Sequence, residues 1–85
     1  MKYLIPLILS ISLSFNVNAG SIMNASNDIQ SKSTMDIKCK SFFYHYMKFL
    51  NSGEFSSAEA LMLLLDDEAP GLVDFCDARR SKYIN

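Results

Sequence analysis

Met35-Asp36-Ile37-Lys38-Cys39-Lys40-Ser41-Phe42-Phe43-Tyr44-His45-Tyr46-Met47-Lys48-Phe49-Leu50-Asn51 decides the fold class. Met35, Cys39, Phe42, Phe43, Tyr46 and Leu50 recur at three- and four-residue spacing and lie on one stripe of a helix, with Met47 and Phe49 on its flanks. The spacing predicts a helix over about 36–51. Ser33 or Thr34 can cap its start, and Asp36 adds a carboxylate near the positive end of the helix dipole. Asn51-Ser52-Gly53 ends it, with Gly53 suited to a left-handed cap.

Downstream, Ser56-Ser57-Ala58-Glu59 reads as a capping box, with Phe55 before it placed to staple onto Ala60. A second helix over about 57–68 would bury Ala58, Leu61, Met62, Leu64 and Leu65 and point Leu63 outward. Pro70 disfavours helical geometry at Ala69 and so ends it. A third helix is expected over about 70–82, with proline in its first turn and Leu72, Phe75, Cys76, Arg79 and Tyr83 on one face. No stretch alternates apolar and polar residues with β-branched enrichment, so no strand is expected. The expected fold is all-α: a small three-helix domain over 35–85.

Upstream, Gly20 to Thr34 is mostly Ser, Asn, Asp, Gln and Lys, with Ile22, Met23 and Ile29 as isolated apolar points. That composition reads as a flexible polar arm over 20–34. Before it, Lys2, the run Leu4-Ile5-Pro6-Leu7-Ile8-Leu9-Ser10-Ile11-Ser12-Leu13 and the small-residue site Val17-Asn18-Ala19 form the pattern of a secretory signal peptide over 1–19, cleaved after Ala19. The apolar run is shorter than the ~20 residues a membrane span requires. A periplasmic or secreted location follows, with no stable membrane anchor.

The chain has 85 residues, and a domain this small rarely nets more than about 3–5 kcal/mol from its core. A staple is therefore expected. Cys39 and Cys76 are the two cysteines, and an even count in an exported chain reads as one disulfide. Each falls on the apolar stripe of its own helix, as a bridge from first to third helix requires. A metal pair or catalytic thiol is the rival. Against it, there is no Cys-x-x-Cys, and His45 is the sole histidine.

Formal net charge is −1, which advertises no nucleic-acid partner. The charges are segregated, however. Glu54, Glu59, Asp66, Asp67, Glu68, Asp74 and Asp77 follow one another without an intervening cation, while Lys32, Lys38, Lys40 and Lys48 precede them and Arg79, Arg80 and Lys82 follow. His45 lacks a nucleophile and orienting partner in any known catalytic order, and no HExxH or glycine-rich phosphate loop is present. Asp66-Asp67-Glu68 lacks the alternation and glycine turn of a calcium loop. No catalytic residue, metal or cofactor is therefore expected.

Helical spacing sends Phe42, Phe43 and Tyr46 inward and leaves Tyr44, Lys48 and Ile37 outward. Tyr44, Lys48, Leu63, Asp66 and Asp67 are the candidate partner-binding residues, since exposed aromatics favour interface centres.

Cys39-x-x-Phe42 at the start of a helical domain, and Leu72-Val73-Asp74-Phe75-Cys76 followed by basic residues, resemble the pattern of HdeA/HdeB-type periplasmic acid-stress chaperones. The interval between the cysteines is shorter here, and no Asn-Pro follows the second one. The resemblance implies a small exported helical protein with one disulfide, in which acid exposes apolar surface that holds unfolding proteins. From the residues themselves, the leading expectation is a non-enzymatic protein-binding module of the bacterial envelope: an inhibitor, immunity protein or accessory factor. A secreted peptide effector is a further alternative, although it would normally carry a cationic amphipathic helix.

Overall fold

The computed structural model describes residues 18–84. Among these residues five helices follow one another: α1 (Ala19–Ser31), α2 (Met35–Asn51), α3 (Phe55–Glu68), α4 (Leu72–Asp77) and α5 (Arg80–Tyr83). No strand occurs among the described residues. The signal-peptide segment lies outside them except for Asn18 and Ala19.

Helix α2 forms as its stripe dictates. Cys39, Phe42 and Phe43 are buried, and the Thr34 hydroxyl accepts the Ile37 N–H at 3.2 Å as its cap. Phe49, expected on a flank, is buried too, whereas Met35 is partly exposed. The helix ends at Gly53 with φ +76°: the Gly53 N–H donates to the Leu50 carbonyl at 3.0 Å and the Glu54 N–H to the Phe49 carbonyl at 2.8 Å. This is the paired closure of a glycine-terminated helix.

That closure displaces the start of α3. Because the chain turns sharply at Gly53, the Glu54 carbonyl already accepts the Ala58 N–H at 3.1 Å and α3 begins at Phe55. Ser56 is then inside the first turn, so the expected capping box does not form. Phe55 is 67 % exposed and makes no staple. The buried face of α3 is Ala58, Leu61 and Leu65, with Met62 and Leu64 half-buried and Leu63 outward.

The expected third helix is two short ones. Gly71 at φ +90° cannot continue a right-handed helix, which delays the start to Leu72. At Ala78–Arg79 the path tightens, with the Arg79 N–H donating to the Cys76 carbonyl at 3.0 Å, before α5 resumes. The break turns Tyr83 back onto α2. Its ring stacks on Phe43 with centroids 5.7 Å apart, and its hydroxyl donates to Asp36 Oδ1 at 2.7 Å. The Cys39–Cys76 disulfide joins α2 to α4 from two fully buried positions. Its 37-residue separation restricts the unfolded chain by about 4 kcal/mol in the loop-entropy picture.

The flexible arm expected over 20–34 is mainly a helix. Asn18 caps α1 by accepting the Ser21 N–H at 3.2 Å, and Ile22, Ala25, Ser26 and Ile29 are buried against α2 and α3. These four share one face by their three- and four-residue spacing. Ala25 and Ser26 carry little hydrophobic signal, yet their small side chains let helices approach closely. Polar ties reinforce the packing. Gln30 Nε2 donates to Glu68 Oε1 at 2.9 Å, Lys38 Nζ to the Gln30 carbonyl at 2.7 Å, and Ser41 Oγ to Asp28 Oδ2 at 3.0 Å. Only the short link Lys32–Thr34 matches the expectation of irregular chain.

Candidate docking groove

One flank of α2 carries Lys40, Tyr44 and Lys48 at four-residue steps, and the next row inward carries Phe43, Met47 and Asn51 at the same step. Residues four apart are neighbours on a helix surface, so the first row forms a wall and the second a floor. The opposite wall is Lys82, Tyr83 and Ile84, delivered by the turn before α5. Together they enclose an open, largely apolar groove of about 730 Å³.

Its rim is cationic. Lys40 and Lys82 share a single carboxylate, Asp36, at 3.5 and 3.3 Å. Lys48 makes no ion pair among the described residues and lies 5.9 Å from the centre of the Tyr44 ring. Among the described residues no acid lines the groove itself. The hydrogen bond from Tyr83, with the Lys82 ammonium beside it, holds the Asp36 carboxyl below its ordinary range. The same bond pushes the Tyr83 phenol up.

The candidate partner-binding residues divide between the groove and α3. Tyr44, 62 % exposed, and Lys48 line the groove. Leu63, 63 % exposed, and Asp67 stand on the outward face of α3. Asp66, on that same helix, borders a separate hollow with Asp74, Asp77 and Arg80. One molecule does not bring the two sets together. Lys40 and Met47 could have been found from their helical spacing to Tyr44 and Lys48. Nothing local marks Lys82 or Ile84, which reach the site only through the break at Ala78–Arg79.

A second cluster gathers a serine, a histidine and an aspartate. Asp28 Oδ2 takes the Ser41 hydroxyl at 3.0 Å and lies 2.8 Å from His45 Nε2, while Lys32 sits 3.1 Å from Oδ1. Hydrogen bonds from His45, Lys32 and Ser41 lower the Asp28 carboxyl from 3.8 to about 2. Serine and histidine both point at the carboxylate, so the serine hydroxyl is not set on the imidazole as an activated nucleophile requires. The cluster fastens α1 to α2. Among the described residues no group of three or more His, Cys, Asp or Glu side chains could hold a metal ion, and no helix is long and apolar enough to cross a membrane. Comparison of the chain with protein families, with curated proteins and with solved structures found no match to any of them.

Proposed function

We propose that this chain is a small exported, non-enzymatic protein-binding module of the inhibitor, immunity or accessory kind, which docks its partner in the groove beside α2. The carrying observation is an apolar floor rimmed by Lys40, Lys48 and Lys82 with no acid among the described lining residues. Such a surface favours a partner segment that brings an apolar anchor flanked by carboxylates. Export is supported by the apolar amino-terminal run and by a buried disulfide, a bond at home in oxidising compartments. A photo-crosslinking side chain at position 44, in cells at neutral pH, tests the reading. A discrete adduct that disappears in the Met47→Glu variant is expected. No adduct at position 44, or one indifferent to Met47→Glu, would overturn it.

An acid-stress chaperone is the second reading, favoured by where the low-pKa carboxylates sit. Asp28 ties α1 to α2, and Asp36 ties α5 to α2. Both carboxyls are held below their ordinary range, so the stability they add is present near neutrality and is lost as pH falls through their folded values. Loosening α1 and α5 would uncover Ile22, Ile29 and Phe43. Suppression of aggregation of an acid-sensitive client at pH 2–3, extended to intermediate pH by Asp28→Asn, would favour this reading. Absence of suppression would remove it.

A further inference from the structure

We propose that the segment docking in the groove is supplied by a second copy of this chain, through the outward stripe Glu59, Leu63 and Asp67 of α3. The proposal rests on the groove being a docking surface and adds what fills it. On α2, Lys40–Tyr44–Lys48 places a cation, an exposed ring and a cation at four-residue steps. On α3, Glu59–Leu63–Asp67 places an anion, an exposed aliphatic side chain and an anion at the same steps. Each row covers eight residue steps, about 12 Å of helix. The two surfaces therefore match in length, oppose in charge and carry an apolar centre at the same place.

On a single molecule Lys40 is engaged only with Asp36, within its own helix. Glu59, Asp67 and Lys48 make no ion pair among the described residues, and no α3 residue lines the groove. Laid along the groove, α3 of a second copy puts Leu63 between Tyr44 and Met47, with its carboxylates beside the lysines. Since every chain carries both surfaces, two such contacts related by a twofold axis close a dimer. An acidic helix of an unrelated protein would meet the groove by the same chemistry, but the complementary stripe is already on this chain.

Sedimentation equilibrium of the exported, disulfide-bonded protein at low salt tests this. The apparent mass should rise with concentration from one chain towards twice that value, and return to one chain at roughly 0.5 M salt, where exposed charges are screened. Leu63→Glu should abolish the rise. Two charge-reversed proteins, Lys40→Glu/Lys48→Glu and Glu59→Lys/Asp67→Lys, cover either relative orientation of the helices. Each alone should stay at one chain, and an equimolar mixture should regain the twofold mass. Recovery on mixing also shows that both variants are folded. A wild-type protein that stays at one chain throughout would overturn the proposal. So would association unaffected by Leu63→Glu, or charge-reversed variants that fail to recover on mixing while retaining native circular dichroism. The docking reading survives such a failure if the position-44 adduct, formed with a different protein, is still lost in Met47→Glu.

Discussion

Replacing Ile29 with alanine probes whether α1 is an integral part of the fold. Ile29 is 0 % exposed, on the face of α1 that also buries Ile22, Ala25 and Ser26. The substitution deletes three buried carbons, worth about 2.4 kcal/mol at ~0.8 kcal/mol each. The cavity left between α1, α2 and α3 adds to this, giving about 3 kcal/mol, within the ~2–5 kcal/mol range of such truncations. In a domain of this size each kcal/mol lowers the melting temperature by roughly 4–8 °C, so a drop on the order of 12–24 °C is expected. Thermal denaturation followed by circular dichroism, with the disulfide intact, measures it. Met23→Ala is the control: Met23 is 54 % exposed on the same helix, and its loss should stay within about 0.5 kcal/mol. If Ile29→Ala melts within about 2 °C of the parent, α1 contributes nothing and the docked-helix description is wrong.

Urea unfolding should separate the two capping sites. Thr34→Ala removes the bond to the Ile37 N–H and should cost about 1 kcal/mol, whereas Ser56→Ala, which removes no cap, should stay within about 0.5 kcal/mol. Asp28→Asn should cost about 1 kcal/mol at pH 7, since its shift would be worth about 2.4 kcal/mol in full but its carboxylate is 44 % exposed and screened by water. Because its folded value of about 2 lies below the ordinary 3.8, that cost should persist down to about pH 4 and fade as pH drops towards 2, as a series of urea melts would record. Reducing the Cys39–Cys76 bond, or replacing both cysteines with serine, should remove about 4 kcal/mol. Against the ~3–5 kcal/mol available to a small core, that leaves a largely unfolded chain by circular dichroism at 37 °C.

Several features were legible in the sequence because their causes are local or chemical. The all-α class came from one dense stripe, Cys39, Phe42, Phe43, Tyr46 and Leu50, whose burial any helix on this stretch would demand. Gly53 and Pro70 ended helices through backbone sterics that need no distant partner. The disulfide followed from compartment and count together with two stripes that each held a cysteine. Outward placement of Tyr44 and Leu63 followed from the same periodicity.

Tertiary structure alone decided the rest. The face of α1 mixes Ile22 and Ile29 with Ala25 and Ser26, too weak a pattern to fold alone; only packing against α2 and α3 makes its burial favourable. The first residue of α3 depended on how tightly the preceding chain turned at Gly53, so a well-formed capping motif at Ser56 went unused. The groove shows the division most clearly. Lys40, Tyr44, Met47 and Lys48 sit together by helical spacing, a property of local sequence. Lys82, Tyr83 and Ile84 join them because the chain breaks at Ala78–Arg79 and the Tyr83 ring finds Phe43, a contact across some forty residues that no local pattern encodes.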